Sequence, residues 1–145
     1  MNKIIPFLWF DGKAEEAAKY YVAIFKNSKI VVANPMTVSF QLEGQPFYAL
    51  NGGPQYKFTP AISLFVNCET QGEVDDLWNK LSAGGRIDQC GWLQDKYGLS
   101  WQIIPTALGR MLRDKDPAKA KRVMDAMLKM QKIDIAALQR AYDGK

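Results

Sequence analysis

The side chains that most often carry reactions or hold metals are few in this sequence and poorly spaced for either task. Histidine is absent from all 145 residues, which removes the usual general base near neutral pH and the commonest nitrogen ligand of a transition metal. Two cysteines, Cys68 and Cys90, have 21 residues between them, a separation that matches neither a CxxC redox pair nor a zinc-ligand pattern. A nucleophilic thiol needs a neighbouring base or a helix amino terminus to lower its pKa. Cys68 lies just ahead of a capped helix start at Thr70, and Cys90 sits in Gln89-Cys90-Gly91-Trp92. With no imidazole to activate them, both read as packing residues of a protein in a reducing compartment. Methyl transfer from S-adenosylmethionine would usually need a glycine-rich loop after the first strand of a parallel α/β sheet, with an acid on the next strand. Gly52-Gly53 and Gly84-Gly85 are isolated pairs, each explained as a linker or a helix stop.

Charge and hydropathy narrow the partners. Residues 1–105 carry nine Lys/Arg against ten Asp/Glu, and residues 106–145 carry ten against five, so the net charge of +4 belongs to the tail. Those ten basic residues are dispersed among the five acids with little aromatic interleaving, which describes a solvated helix face rather than a nucleic-acid surface. No stretch approaches the roughly 18 apolar residues of a membrane span. The opening apolar run, broken by Asp11, Gly12 and Lys13, is too short for a secretory signal and reads as a strand. A soluble cytoplasmic protein with no membrane partner is expected, folding as one domain over residues 1–145.

The elements that must position any site come as a repeat. Phe7-Leu8-Trp9-Phe10-Asp11 precedes a helical stretch with Ala17, Tyr20, Tyr21 and Ile24, and 56 to 57 residues later Ser63-Leu64-Phe65-Val66-Asn67 precedes Val74, Leu77, Trp78 and Leu81. In each copy, short strand-like pieces follow, the last opening after a turn glycine, Gly44 or Gly98. Each half reads as βαβββ, over 1–53 and 60–105, and the fold class is α+β. Thr70 and Glu73 form a T-x-x-E capping box. Val38, Phe40 and Leu42 alternate strictly with Thr37, Ser39, Gln41 and Glu43, the mark of a strand with one buried face. From 106 to 145 a helical extension is expected, with starts at Thr106, at Asp116-Pro117 and at Asp134. The middle helix carries an apolar stripe of Ala120, Val123, Met124, Met127, Leu128 and Met130.

This duplicated unit, with FLWFDGKAEEAAKYY opening the first half and DKYGLSWQIIP closing the second, resembles the vicinal oxygen chelate superfamily of glyoxalase I, bleomycin-resistance proteins and extradiol dioxygenases. The segments PFLWFDGKAEEAAKYYVAIF, FYALNGGP, DDLWNKLSAGG, QCGWLQDKYGLSWQIIP and DPAKAKRVMDAMLKMQKIDIAAL are similar to its PhnB-like branch, whose members often carry a demethylubiquinone methyltransferase-like label. The resemblance implies that the two βαβββ modules form a cupped mixed sheet, followed by the C-terminal helices. It also implies a homodimer, and a loop between the second and third strands that is short here, reduced to Asn34-Pro35. Metal enzymes of the superfamily place one ligand on the first and one on the last strand of each module. Those positions fall at Pro6, Tyr48, Ala61 and Gln102, none of which supplies a carboxylate, thiolate or imidazole, so neither a metal nor another cofactor is expected.

Side chains two apart on a strand share a face. Carrying the inherited positions along each strand turns Pro6, Leu8, Tyr48, Leu50, Ala61, Ser63, Phe65, Gln102 and Ile104 into the cup. Phe7, Trp9, Phe47, Ala49, Ile62, Leu64, Val66, Trp101 and Ile103 then meet the helices. Leu8, Tyr48, Leu50, Ser63, Phe65 and Gln102, with Trp92 at the mouth, are the expected ligand-binding residues, and no catalytic residue is assigned. An apolar wall with few polar groups suits a small apolar or aromatic molecule. The alternative from the same residues is a metal-independent enzyme in which Tyr48 is the acid or base and Gln102 orients a carbonyl or phenol. Asn51 and Asn67, which end matching strands, read as turn formers.

Overall fold

A computed structural model of the chain describes residues 2–145. The chain separates into two compact units, up to Phe58 and from Thr59 to Lys145, each holding one βαβββ module and the second also holding the helical extension.

The first unit runs β1 (Phe7–Phe10), α1 (Ala14–Ile24), β2 (Lys29–Ala33), β3 (Thr37–Leu42) and β4 (Gln45–Asn51), with strand order β1-β4-β3-β2. The β1–β4 pair is parallel and the others are antiparallel. Glu43 and Gly44 make a two-residue hairpin at φ 49° and 80°, the positive-φ turn that matches strand twist and favours glycine. One sheet face packs on α1 through Val38, Phe40, Leu42, Phe47 and Ala49, all buried. Opposite them Ala14, Ala17, Ala18 and Tyr21 are almost wholly buried; the alanines let the helix approach closely, and the Phe40 and Phe47 rings stack 5.3 Å apart beneath it. Lys13 supplies no side-chain cap to α1. The Ala14 amide instead donates to Oδ1 of Asn51 at 2.8 Å, and the Asn51 amide group donates to the Pro35 carbonyl, so the end of β4 satisfies one of the orphan donors of the helix.

The second unit runs β5 (Ser63–Cys68), α2 (Gln71–Ser82), β6 (Arg86–Ile87), β7 (Trp92–Gln94) and β8 (Ser100–Pro105), ordered β5-β8-β7-β6 with β5–β8 parallel. The Glu73 amide donates to Thr70 Oγ1, while the Glu73 carboxylate accepts from Glu69 rather than from the cap residue itself. Val74, Leu77, Trp78 and Leu81 are buried as their spacing predicts. Past the helix, Gly84 takes φ +77°, and a Cβ on Gly85 would stand 2.1 Å from the Gln94 carbonyl oxygen. Asp95 ties this unit together: its Oδ1 accepts from the Tyr97 and Leu99 amides at 2.8 and 3.1 Å, and its Oδ2 from the Trp101 indole at 2.9 Å. These three donors satisfy a carboxyl group that is only 2% exposed.

The extension continues as α3 (Thr106–Leu112), α4 (Pro117–Met127) and α5 (Ile135–Tyr142). Asp116 and Asp134 cap α4 and α5 as expected. Thr106 does not cap α3; it is the first helical residue, and its hydroxyl turns to Glu69. Val123, Leu138 and Ile133 bury themselves against Ile104 and Leu108, with Ala126, Met127 and Met130 packed around them. Met124 and Leu128 lie on the outer side at 39% and 56% exposed, so only part of the predicted apolar stripe faces inward. The Gln71 side chain clips the α4–α5 link to α2, donating to the Ile133 carbonyl and accepting from the Ile135 amide. Arg122 donates to the Ala141 and Tyr142 carbonyls at the end of α5, and the Tyr142 hydroxyl donates to Asp114 at 2.6 Å.

Two tests follow from these contacts. Asp95→Ala strands two backbone amides and an indole N–H, and should lower unfolding stability by about 3 kcal/mol in urea titration; a loss within error would remove Asp95 from this role. The Tyr142–Asp114 bond holds the Asp114 carboxyl below its ordinary range and raises the Tyr142 phenol above its own. Asp114 therefore contributes stability above its unfolded pKa, lost as pH falls through the folded value. Tyr142 contributes below its unfolded pKa, lost as pH rises through the folded value. Protection of the α5 amides, their exchange divided into the intrinsic rate at each pH, should be greatest between those limits, and Tyr142→Phe should flatten its alkaline limb.

Candidate functional site

The face of the first sheet turned away from α1 carries the strongest signs of a binding surface. Register places Phe7 opposite Tyr48, Tyr48 opposite Ser39 and Ser39 opposite Val32, so these four side chains form one row across all four strands. Phe7, Tyr48 and Val32 are 56%, 41% and 58% exposed, and the Phe7 ring meets Tyr48 edge-on at 5.7 Å. A cavity of about 230 Å³ is lined by Phe7, Val32, Thr37, Ser39 and Tyr48. A second, of about 430 Å³, reaches Ile5, Val31, Gln41 and Pro46. Ser39 and Tyr48 border both. The irregular register between Ile30 and Val32 brings Val31 as well as Val32 to the surface, an effect expected of a bulge.

The corresponding face of the second sheet holds two parallel rows. Phe65 stands opposite Gln102, and Gln102 opposite Trp92; one step along, Ser63, Ser100, Gln94 and Arg86 follow one another. The Gln102 amide donates to Ser63 Oγ at 3.0 Å. Tyr48 and Leu50 in the first unit, and Ser63, Phe65, Gln102 and Trp92 in the second, thus stand on the faces away from α1 and α2.

Several expected placements are corrected. Leu8 pairs with Ala49 and is 7% exposed; it packs on the helix side, while Phe7 and Trp9, expected toward the helix, share the open face with Tyr48 and Leu50. Four consecutive apolar residues carry no alternation, so FLWF gives no phase of its own. The Trp9 indole donates to the Gly53 carbonyl at 2.9 Å and its ring meets Tyr56, which places it under the link following β4. Pro6 and Ala61 precede β1 and β5, and Ile62, expected against a helix, is 61% exposed. Ile104 has the predicted parity, but the C-terminal helices bury it. Asn51 is occupied as the distant cap of α1. Ser39 and Gln41 were legible as one strand face; alternation alone reads that face as solvated, and only the register beside Tyr48 brings them to the cavities.

Two four-stranded βαβββ sheets of this connectivity define the glyoxalase/bleomycin resistance/dioxygenase fold. Among solved structures, a glyoxylase/bleomycin resistance protein/dioxygenase domain from Frankia is 14% identical and covers 72% of this chain and 92% of its own, at TM-score 0.51. A fosfomycin resistance protein from Listeria monocytogenes, solved with manganese(II) and sulfate, is 13% identical over 69% of this chain and 86% of its own, at TM-score 0.52. A PhnB protein from Bacillus cereus, described as a 3-demethylubiquinone-9 3-methyltransferase, is 38% identical over 72% of this chain and 99% of its own, at TM-score 0.67. The family model described as 3-demethylubiquinone-9 3-methyltransferase matches residues 2–104. The chain belongs to that family, the PhnB-like branch of the superfamily. No curated protein matches it. Helices α3–α5 lie beyond the matched residues.

The metal that the superfamily implies does not fit the side chains present. The residues directly opposite Tyr48 and Gln102 across the parallel pairs are Phe7 and Phe65, and neither these nor Pro6 and Ala61 donate electron pairs. One phenol and one amide are too weak a set for a divalent transition ion. Among the described residues no three His, Cys, Asp or Glu side chains gather closely enough to hold one.

Nor does the thiol chemistry fit. Cys68 is buried, and burial, helped by the Glu73 and Glu69 charges, pushes its pKa up to about 12, overriding any benefit from the start of α2. Cys90, at φ +60° and half-buried, joins its backbone to the extension by donating to the Met130 carbonyl. In the native protein at pH 8, iodoacetamide should leave Cys68 unmodified until denaturant is added; labelling of Cys68 in the folded state would contradict the burial.

Proposed function

We propose that the protein binds a small apolar or aromatic molecule without a metal, on the open face of the first sheet, and that a second copy of the chain covers that face. The observation that carries this reading is the row Phe7–Tyr48–Ser39–Val32, exposed across four strands and opening into the two cavities. Apolar side chains exposed contiguously on a sheet mark a surface that something covers. The larger cavity, about 430 Å³, falls in the lower part of the range for small-ligand sites, and its lining mixes apolar residues such as Ile5, Val31 and Pro46 with the polar groups of Asn2, Ser39, Gln41 and Tyr48. Burial of ring and methyl surface at roughly 25 cal/mol per Å² would supply the affinity, and Tyr48 and Ser39 the orientation. Leu50 belongs to the proposed ligand-binding set of this face, and Ser63, Phe65, Trp92 and Gln102 are proposed as a second ligand-binding surface, on the open face of the second sheet by itself. Leu8 leaves the set.

The methyl transfer in the family description finds no support in these glycines: Gly52 lies against the Trp9 ring, Gly84 ends α2, and Gly85 meets the backbone of β7. No helix among the described residues is long and apolar enough to cross a membrane. A cytoplasmic location is part of the proposal.

Native mass spectrometry of protein purified from its own cells should show a dimer retaining an organic molecule and no metal. Tyr48→Phe should weaken that complex by roughly tenfold or less, the worth of one hydrogen bond, while Tyr48→Ala should abolish it. A stoichiometric zinc, nickel, iron or manganese ion would overturn the reading. Turnover of a carbonyl or phenol compound that Tyr48→Phe eliminates would replace it with the enzyme in which Tyr48 is the acid or base.

A further inference from the structure

The second sheet's open face has an organisation of its own. Its two rows differ sharply in chemistry: Phe65–Gln102–Trp92 is aromatic at both ends, and Ser63–Ser100–Gln94 is polar throughout. Neighbouring strands lie about 4.8 Å apart, and positions two apart along a strand are separated by roughly 7 Å. A flat ring resting on Gln102 would therefore have aromatic side chains on both flanks. A substituent on that ring would reach the polar row.

The polar row is also incompletely satisfied. Ser100 is 1% exposed, and its Oγ, buried, has no hydrogen-bond partner. Isolating a hydroxyl in this way is costly, and a buried donor–acceptor with no partner in the fold calls for one from outside. Across the sheet Ser100 is flanked by Ser63 and Gln94, and Gln102 stands two residues along its own strand on the same face; all three are only partly buried. Gln102 donates to Ser63 Oγ at 3.0 Å. All four polar side chains, Ser63, Ser100, Gln94 and Gln102, are neutral. The charged group in line with them is Arg86 at the edge, already within 3.3 Å of Asp88.

We propose that this face of the second unit binds, by itself, an aromatic ligand bearing an uncharged oxygen substituent, a hydroxyl or carbonyl, with the ring between Phe65 and Trp92 and the oxygen on Ser100 and Gln102. This deepens the small-ligand reading above and rests on it. Neutral hydrogen-bonding groups in a partly dry site favour a neutral oxygen over a carboxylate, whose desolvation they do not repay. A hydrocarbon of the same shape would leave the Ser100 hydroxyl as unpaired as it is in the free protein and gain nothing from it, whereas an oxygen substituent gains a hydrogen bond whose cost of desolvation on the protein side has already been met.

Three probes of equal shape test this: 2-naphthol, 2-methylnaphthalene and 2-naphthoate, titrated into the full-length protein and followed by NMR at the Trp92 indole and Gln102 side-chain amide signals. Naphthol is expected to bind at least roughly tenfold tighter than either competitor, and to shift both signals. Ser100→Ala should fold, gain a little thermal stability because a stranded hydroxyl is removed, and lose the preference for naphthol while keeping its affinity for methylnaphthalene. Equal binding of the first two probes, or a preference that survives Ser100→Ala, overturns this second site but leaves the small-ligand reading intact. Binding that shifts Tyr48 and Phe7 and leaves Trp92 and Gln102 unmoved has the same effect. If none of the three binds and the purified protein carries no organic molecule, both readings fail together.

Discussion

Each module closes by pairing its first strand with its last, in parallel and in register: Phe7 with Tyr48 through Phe10 with Asn51, and Ser63 with Ser100 through Cys68 with Pro105. Because strand side chains alternate, this single pairing decides which residues share a face, and a slip of one residue would exchange the two faces wholesale. The buried face explains the order. In the first unit Leu8, Phe10, Phe47 and Ala49 meet α1, and in the second Trp101, Ile103 and Cys68 lie on the side of α2. What remains on the other side is not a free choice of the sequence: Phe7 and Tyr48 are exposed because their neighbours are needed in the core.

That dependence also explains what could be read without coordinates. The duplication was legible because strand and helix recur at a nearly constant offset with the same apolar spacing, and Thr37–Glu43 declared its faces by strict alternation. The phase of β1 was not, since four apolar residues in succession look alike from either side and only the partner strand distinguishes them. The Asn51 cap escaped for a related reason. Its acceptor lies 37 residues from the amide it serves, whereas capping rules read a window of four. Thr106 shows the converse, a residue of good capping type whose hydroxyl goes elsewhere because Pro105 already occupies the cap position. The apolar stripe of α4 was half legible: its period was right, but which edge faces inward depends on Ile104 and Leu108, which lie outside the helix.

The basic tail looks different once its contacts are known. Arg122 closes the carboxyl end of α5, where a cation also suits the helix dipole, Lys132 pairs with Asp75 of α2 at 2.9 Å, and Lys121 pairs with Asp125 along α4. Lys119 lies over the Tyr142 ring, 4.9 Å from its centre. Three of the tail's ten basic residues, Lys119, Arg122 and Lys132, thus help hold the short helices to one another and to α2. Such helices, the longest of 11 residues, would be marginal alone.

A ligand site built, as proposed, from a phenol, an amide and apolar groups in place of metal-binding side chains would select its ligand differently. A metal site selects by charge and coordination geometry, and tolerates much variation in the rest of the molecule it holds. A surface of rings and neutral hydroxyls has no such dominant contact. Its affinity must accumulate from buried apolar area, and its selectivity from hydrogen bonds whose net worth is about 1 kcal/mol each. Such bonds discriminate mainly by the penalty for leaving them unmade. Shape and enclosure then matter more than in the metal-bearing relatives. An open sheet face can bury only one side of a flat molecule, so the proposed second copy of the chain is part of the binding energetics as well as of the assembly.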